Sequence, residues 1–256
     1  MKKVSTLALA VWNILYPILL YWSVNLLAIN IAQFVLGFDD AHYMLCQIIA
    51  TLCTLPVVDF NLYRVDQKLH GYEKPHFYPY HIWMVMGIML CMSFSLNNIL
   101  CMSPLARIST GYAQVSRQFY GSTLALELAG SVLLTPVLEE LIYRGVIYRR
   151  LREQLSVRAS VVLSALIFAL FHFNWVQFIY AFFMGMILAY VLECSHSVVY
   201  SILGHMLANL LGVLRTELGI LGDTLDGSVS AWLITFGVLL LGIAFLISYR
   251  KRELHE

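Results

Sequence analysis

The chain has 256 residues, 60% of them hydrophobic and 12% charged, with a formal net charge of +1. A soluble domain carries roughly 25% charged residues, and the mean hydropathy here is +0.77. Disorder, a fibrous chain and a soluble globule are thereby excluded, and neutral bulk charge without a basic patch gives no sign of nucleic-acid binding. Nearly every stretch of about 20 residues is apolar enough to cross a bilayer. The sequence predicts an all-α polytopic membrane protein in which residues 1–256 form a single transmembrane domain.

The N-terminus, MKKVSTLALAVW, starts like a signal peptide, but the apolar stretch runs on to about Ile29 without a cleavage site. This is longer than an h-region of about 7–15 residues and reads as a retained first span. Hydropathy then places eight spans, at about 7–29, 42–61, 81–101, 121–143, 157–173, 175–193, 197–213 and 229–248. Backbone satisfaction in lipid requires helices, since the runs are too long for barrel strands. Cys46, Cys53, Cys91, Cys101 and Cys194 have no CxxC spacing and read as small hydrophobes.

Basic residues orient the chain. With a cytoplasmic N-terminus, inside segments hold Lys2, Lys3, Arg64, Lys68, Lys74, Arg144, Arg149, Arg150, Arg152, Arg158, Arg250, Lys251 and Arg252, which is 13 of 16. Outside loops hold only Arg107, Arg117 and Arg215. The positive-inside rule thus predicts a cell-membrane protein with both termini cytoplasmic. The soluble-like segments are an inside loop at 62–80 and outside loops at 102–120 and 215–228.

Ionisable groups within spans are costly and mark function by default. The fourth span contains LTPVLEELIYRG, with Glu139, Glu140 and Arg144; the fifth ends in His172; the seventh carries His205 and Asn209. Glu140 and Arg144 are spaced i, i+4 and can pair, which leaves Glu139 about 100° round the helix without that partner. His205 with Asn209, and Phe168 with His172, share faces in the same way. Pro136, just before Glu139, removes a backbone donor and predicts a kink. If the fourth helix continues to about Gln154 and Ser156 caps the next, Glu139 and His172 each lie about 22–24 Å from the turn, at one level. A carboxylate, two imidazoles and an amide at one level suit peptide hydrolysis, with a general base on water and donors for an oxyanion. The remaining histidines (His42, His70, His76, His81, His196, His255) read as solvated, and Asn13, Asn25, Asn30, Asn97 and Asn98 as interhelical hydrogen bonders.

At these residues the sequence resembles the CAAX protease and bacteriocin-processing (CPBP, or Abi) family of intramembrane proteases. The family's EExxxR, FxxxH and HxxxN motifs read here as Glu139-Glu140-Leu-Ile-Tyr-Arg144, Phe168-Ala-Leu-Phe-His172 and His205-Met-Leu-Ala-Asn209, within a core at about 121–213. The resemblance implies eight helices enclosing an intramembrane polar cavity. It implies that Glu139 and His172 activate water, that His205 and Asn209 form the oxyanion site, and that Glu140 and Arg144 support them. No HExxH, GxGD or rhomboid-like serine setting is present. No cofactor is required by this reading, although Glu139, His172 and His205 also match a His₂Glu zinc set. The expected partners are membrane lipid and a peptide or membrane-anchored protein substrate. The alternatives are a non-enzymatic bacteriocin self-immunity or scaffold protein of the same fold, and a small proton-coupled transporter.

Overall fold

A computed structural model describes residues 2–37, 40–70 and 78–253. Helices are numbered here in chain order. α1 is Lys2–Leu36. α2 starts at Asp40–Pro56, widens into a π-helical stretch at Val57–Tyr63 and ends with Arg64–His70. α3 is Pro79–Met102, α4 is Thr110–Phe119 and α5 is Leu124–Gln154. α6 is Val157–Leu170, α7 is Trp175–Ser195, α8 is Val198–Leu218 and α9 is Val229–Glu253. The described residues contain no strand.

Among the described residues, six helices are long and apolar enough to cross a membrane, and α4 with α5, bent by 106°, makes a seventh span if counted together. The eighth expected span is α6, which is apolar but stops at Leu170. Its 14 residues reach only about 21 Å, short of a hydrocarbon core of about 30 Å. Phe173 ends it with a left-handed backbone (φ 52°), and Asn174 restarts the chain by accepting from the Gln177 amide at 2.9 Å. At its start, Ser156 caps it through the Ala159 amide, as the sequence predicts. α5 continues past the predicted residue 143 to Gln154.

α5 is the irregular element. Its α-helical stretch Thr135–Glu140 lies between π-helical stretches at Leu128–Leu134 and Leu141–Tyr148. Pro136 sits just after the first wide turn, where its missing N–H interrupts the regular ladder. Single wide turns of this kind concentrate at functional sites.

The outside loop expected at 102–120 is largely helix. In α4, Tyr112, Val115, Ser116 and Phe119 recur at i, i+3, i+4 and i+7, so they form one face and turn inward. Phe119 meets Tyr43 of α2 with ring centroids 5.7 Å apart. Arg215, expected in an outside loop, lies buried in the last turn of α8. Its guanidinium donates to Thr224 Oγ1 (2.8 Å), Leu221 O (3.2 Å) and Asn97 Oδ1 (3.4 Å), which ties the 219–228 connection to α3.

His81, expected to be solvated, is buried. Its Nδ1 lies 2.5 Å from the Tyr249 hydroxyl, and the Tyr200 ring centroid is 5.1 Å away. Helix α3 carries it inward from the loop edge onto α9. His42 and His196 are exposed, whereas the side chains of His70, His76 and His255 lie outside the described residues. Asn25 bonds Thr54 of α2 and Asn98 bonds Thr235 of α9, as expected of interhelical amides. Asn30 instead donates to Leu26 O of its own helix. The five cysteines are free thiols.

Close packing depends on small residues. On α7, Ala181, Gly185 and Ala189 are buried in one row, and a Cβ on Gly185 would stand 3.2 Å from Ala165 Cα of α6. On α5, a Cβ at Gly145 would stand 2.7 and 2.9 Å from ring carbons of Tyr63. Gly145→Ala is therefore expected to destabilise the protein by about 1–3 kcal/mol through overpacking. The added Tyr63→Ala should recover part of this, and thermal unfolding in detergent, run as a double-mutant cycle, measures the coupling.

Candidate active site

Glu140 and Arg144 form the ion pair that their spacing predicts, and both are fully buried. Arg144 Nη1 donates to Glu140 Oε1 at 3.0 Å. Its Nη2 donates to Gly185 O of α7 at 3.1 Å, which explains why α7 carries no side chain there. The guanidinium also stands over the Phe168 ring of α6, 4.5 Å from its centroid. Glu140 Oε1 lies 2.8 Å from His205 Nδ1 on α8. One carboxylate and one guanidinium thus join α5, α6, α7 and α8. Burying such a pair is costly, and it persists where each group has several good partners.

The contact with Glu140 fixes the His205 ring. A carboxylate accepts, so Nδ1 carries a proton and Nε2 points onward, to within 3.8 Å of Glu139 Oε2. Glu139 occupies the face that the sequence leaves without the Arg144 partner and opens onto a cavity. His172 lies in the turn after α6. Its Nδ1 is 3.1 Å from Phe168 O, and a carbonyl only accepts, so Nδ1 donates and Nε2 is left for other partners. Phe168 packs beneath both imidazoles, with centroids 4.9 Å from His172 and 5.9 Å from His205. Its contacts with them are packing contacts. Asn209 donates from Nδ2 to Ser131 O at 2.8 Å, which engages one amide hydrogen and leaves the second.

The cavity measures about 480 Å³, and Glu139, His172, His205 and Asn209 all line it. Glu140 and Arg144 do not; they stand behind the wall. The six motif residues thus divide into four that line the cavity and two that lie behind it. Among the described residues, no group of three His, Cys, Asp or Glu side chains is arranged to hold a metal ion.

Several wall residues escape the motifs. Tyr143 follows Glu139 by four positions and shares its face, a spacing that could have revealed it. Tyr21, Trp22 and Asn25 come from α1, where nothing in the local sequence separates them from an interfacial aromatic belt. Tyr21 meets Tyr143 at 6.3 Å between centroids, and Trp22 stacks on Phe171 at 4.7 Å. Tyr112 of α4 and Tyr180 of α7 complete the far wall.

A family model described as type II CAAX prenyl endopeptidase Rce1-like matches residues 121–211. Over these residues the chain is similar to the CAAX protease and bacteriocin-processing family. The match runs from the start of α5 into α8 and contains all three motifs. The apolar helices mark a multi-pass membrane protein, and the matched segment is similar to a family of intramembrane proteases. No curated protein and no solved structure matches the chain.

Loss of either ion-pair partner leaves a buried charge unpaired. Arg144→Ala is expected to cost about 3–5 kcal/mol of stability. Glu139→Gln, which changes a cavity-facing group, should leave thermal unfolding in detergent close to wild type.

Proposed function

We propose that the chain is an intramembrane endopeptidase in which Glu139 activates the attacking water. The observation that carries this reading is that Glu139, His172, His205 and Asn209, from α5, the turn after α6 and α8, line one cavity, with the Glu140–Arg144 pair behind them orienting His205.

The chemistry follows from the orientation of each group. Water held between the Glu139 carboxylate and an imidazole Nε2 lone pair of His172 gives its proton to Glu139 as its oxygen attacks the peptide carbonyl. The carbonyl oxygen gains negative charge and needs donors that are already in place. Asn209 supplies its second amide hydrogen. His205, held through Nδ1–H on Glu140, presents Nε2 to the cavity as the second group at the oxyanion. Glu139 then passes the proton to the leaving nitrogen as the C–N bond breaks, giving an acid and an amine and restoring the carboxylate. Phe168 and the Arg144–Glu140 pair limit rotation of both imidazoles, which keeps the donors preorganised.

The test is cleavage of candidate peptides by the purified, detergent-solubilised protein. Glu139→Ala is expected to abolish cleavage, and Asn209→Ala to lower kcat about 10²–10³-fold, the usual effect of removing one oxyanion donor. A strong chelator is expected to leave the rate unchanged. Full activity in Glu139→Ala would overturn the assignment, and loss on chelation with rescue by a divalent metal would turn the same residues into ligands.

A further inference from the structure

The cavity lies toward one end of the bundle. Each helix that lines it contributes only the part lying toward one end of the bundle. α3 gives Asn97, Leu100 and Cys101 near its C-terminus, and α2 gives Tyr43 and Gln47 near its N-terminus. α8 contributes from His205 onward, α7 from Val176 to Leu188, and α5 no residue beyond Tyr143. α4 lies across this end.

The opposite end is closed by side chains. Arg150 Nε donates to Asp66 Oδ1 at 2.7 Å, which joins α5 to α2, and its Nη1 donates to Asn13 O of α1. Arg152 pairs with Glu193 of α7 at 3.2 Å, and Glu193 also accepts from the Tyr148 hydroxyl at 2.6 Å. Below Glu139, the Glu140–Arg144 pair fills the interior.

Charge distinguishes the two ends. Arg144 belongs to neither, being buried in the span. Among the described residues, eleven of the remaining basic ones lie at or beyond the closed end, in the N-terminus, the end of α2, the α5–α6 turn and the C-terminus. The open end has Arg107, Arg117 and the buried Arg215, beside exposed Glu217, Asp223 and Asp226. By the positive-inside rule, the closed end is cytoplasmic.

We infer that the cavity receives its substrate from the extracytoplasmic side. The inference rests on the peptidase reading and narrows its substrate to a class: a secreted or membrane-anchored polypeptide whose scissile segment lies outside the cytoplasm. A chain confined to the cytoplasm would have to pass the Arg150–Asp66 and Arg152–Glu193 pairs to reach Glu139.

Two single-cysteine additions to the full chain test this, each read by peptide mass spectrometry against the wild-type background. Ser116→Cys lies on the cavity face of α4, and Gln154→Cys is exposed at the closed end. Sealed right-side-out and inverted membrane vesicles are treated with a membrane-impermeant sulfonated maleimide. Ser116→Cys is expected to react in right-side-out vesicles and lose that labelling in inverted ones, with Gln154→Cys showing the reverse. The opposite pattern would overturn the inference and leave the peptidase reading intact. In the second arm, a peptide that the detergent-solubilised protein cleaves is added outside each vesicle type, with Glu139→Gln as the blank. Cleavage only in right-side-out vesicles supports the inference, and cleavage only in inverted vesicles overturns it. If no peptide is cleaved in detergent, the peptidase reading fails while the labelling still decides which side the cavity faces.

Discussion

The Glu140–Arg144 pair is the constraint on which the rest of the domain depends. A guanidinium in a membrane interior has little water to solvate it, so it depends on protein acceptors and π-faces around it. Here those are Glu140, the Gly185 carbonyl and the Phe168 ring, on three helices. Satisfying the charge therefore fixes where α6 and α7 stand against α5. The same Glu140 oxygen turns His205 of α8 so that Nε2 looks toward Glu139. A structural ion pair thus sets the geometry of a chemical group that it does not itself present to the cavity.

Two adjacent glutamates acquire different roles from one helical step. Glu140 faces the protein and is consumed by cation and imidazole contacts; Glu139, about 100° away, faces the cavity. The π-helical turn that follows them shifts later residues around the axis, and it brings Gly145 against Tyr63 of α2, where another π-helical stretch lies. Local irregularity in both helices allows an approach that two regular helices with side chains at that point would prevent.

The cavity is built asymmetrically along the membrane normal. Aromatic and amide side chains form its open half, and ion pairs between helix ends close the other. This division matches an opening for substrate at one end and a rigid base at the other. It also places the most irregular stretch of α5 and the truncated α6 at the level where chemistry is proposed.

The sequence by itself determined the helical membrane class, the order of the spans, the Glu140–Arg144 pair and the set Glu139, His172, His205 and Asn209, because these follow from hydropathy, helical period and short motifs. It did not determine that α6 stops at Leu170, since termination depends on the left-handed backbone at Phe173 and the Asn174 cap. Nor did it place Arg215 and His81 in the interior, because hydropathy assigns both to loop edges, while their partners Thr224, Asn97 and Tyr249 are distant in the chain. The cavity wall from α1 and α4 was hidden for a related reason. Tyr21, Trp22 and Tyr112 have the composition of any membrane-interface helix, and only the packing of α1 and α4 against α5, α2 and α7 gives them a common space. Local physics selects the elements and their chemically unusual residues, and the long-range pairing of buried polar groups decides which of those residues meet.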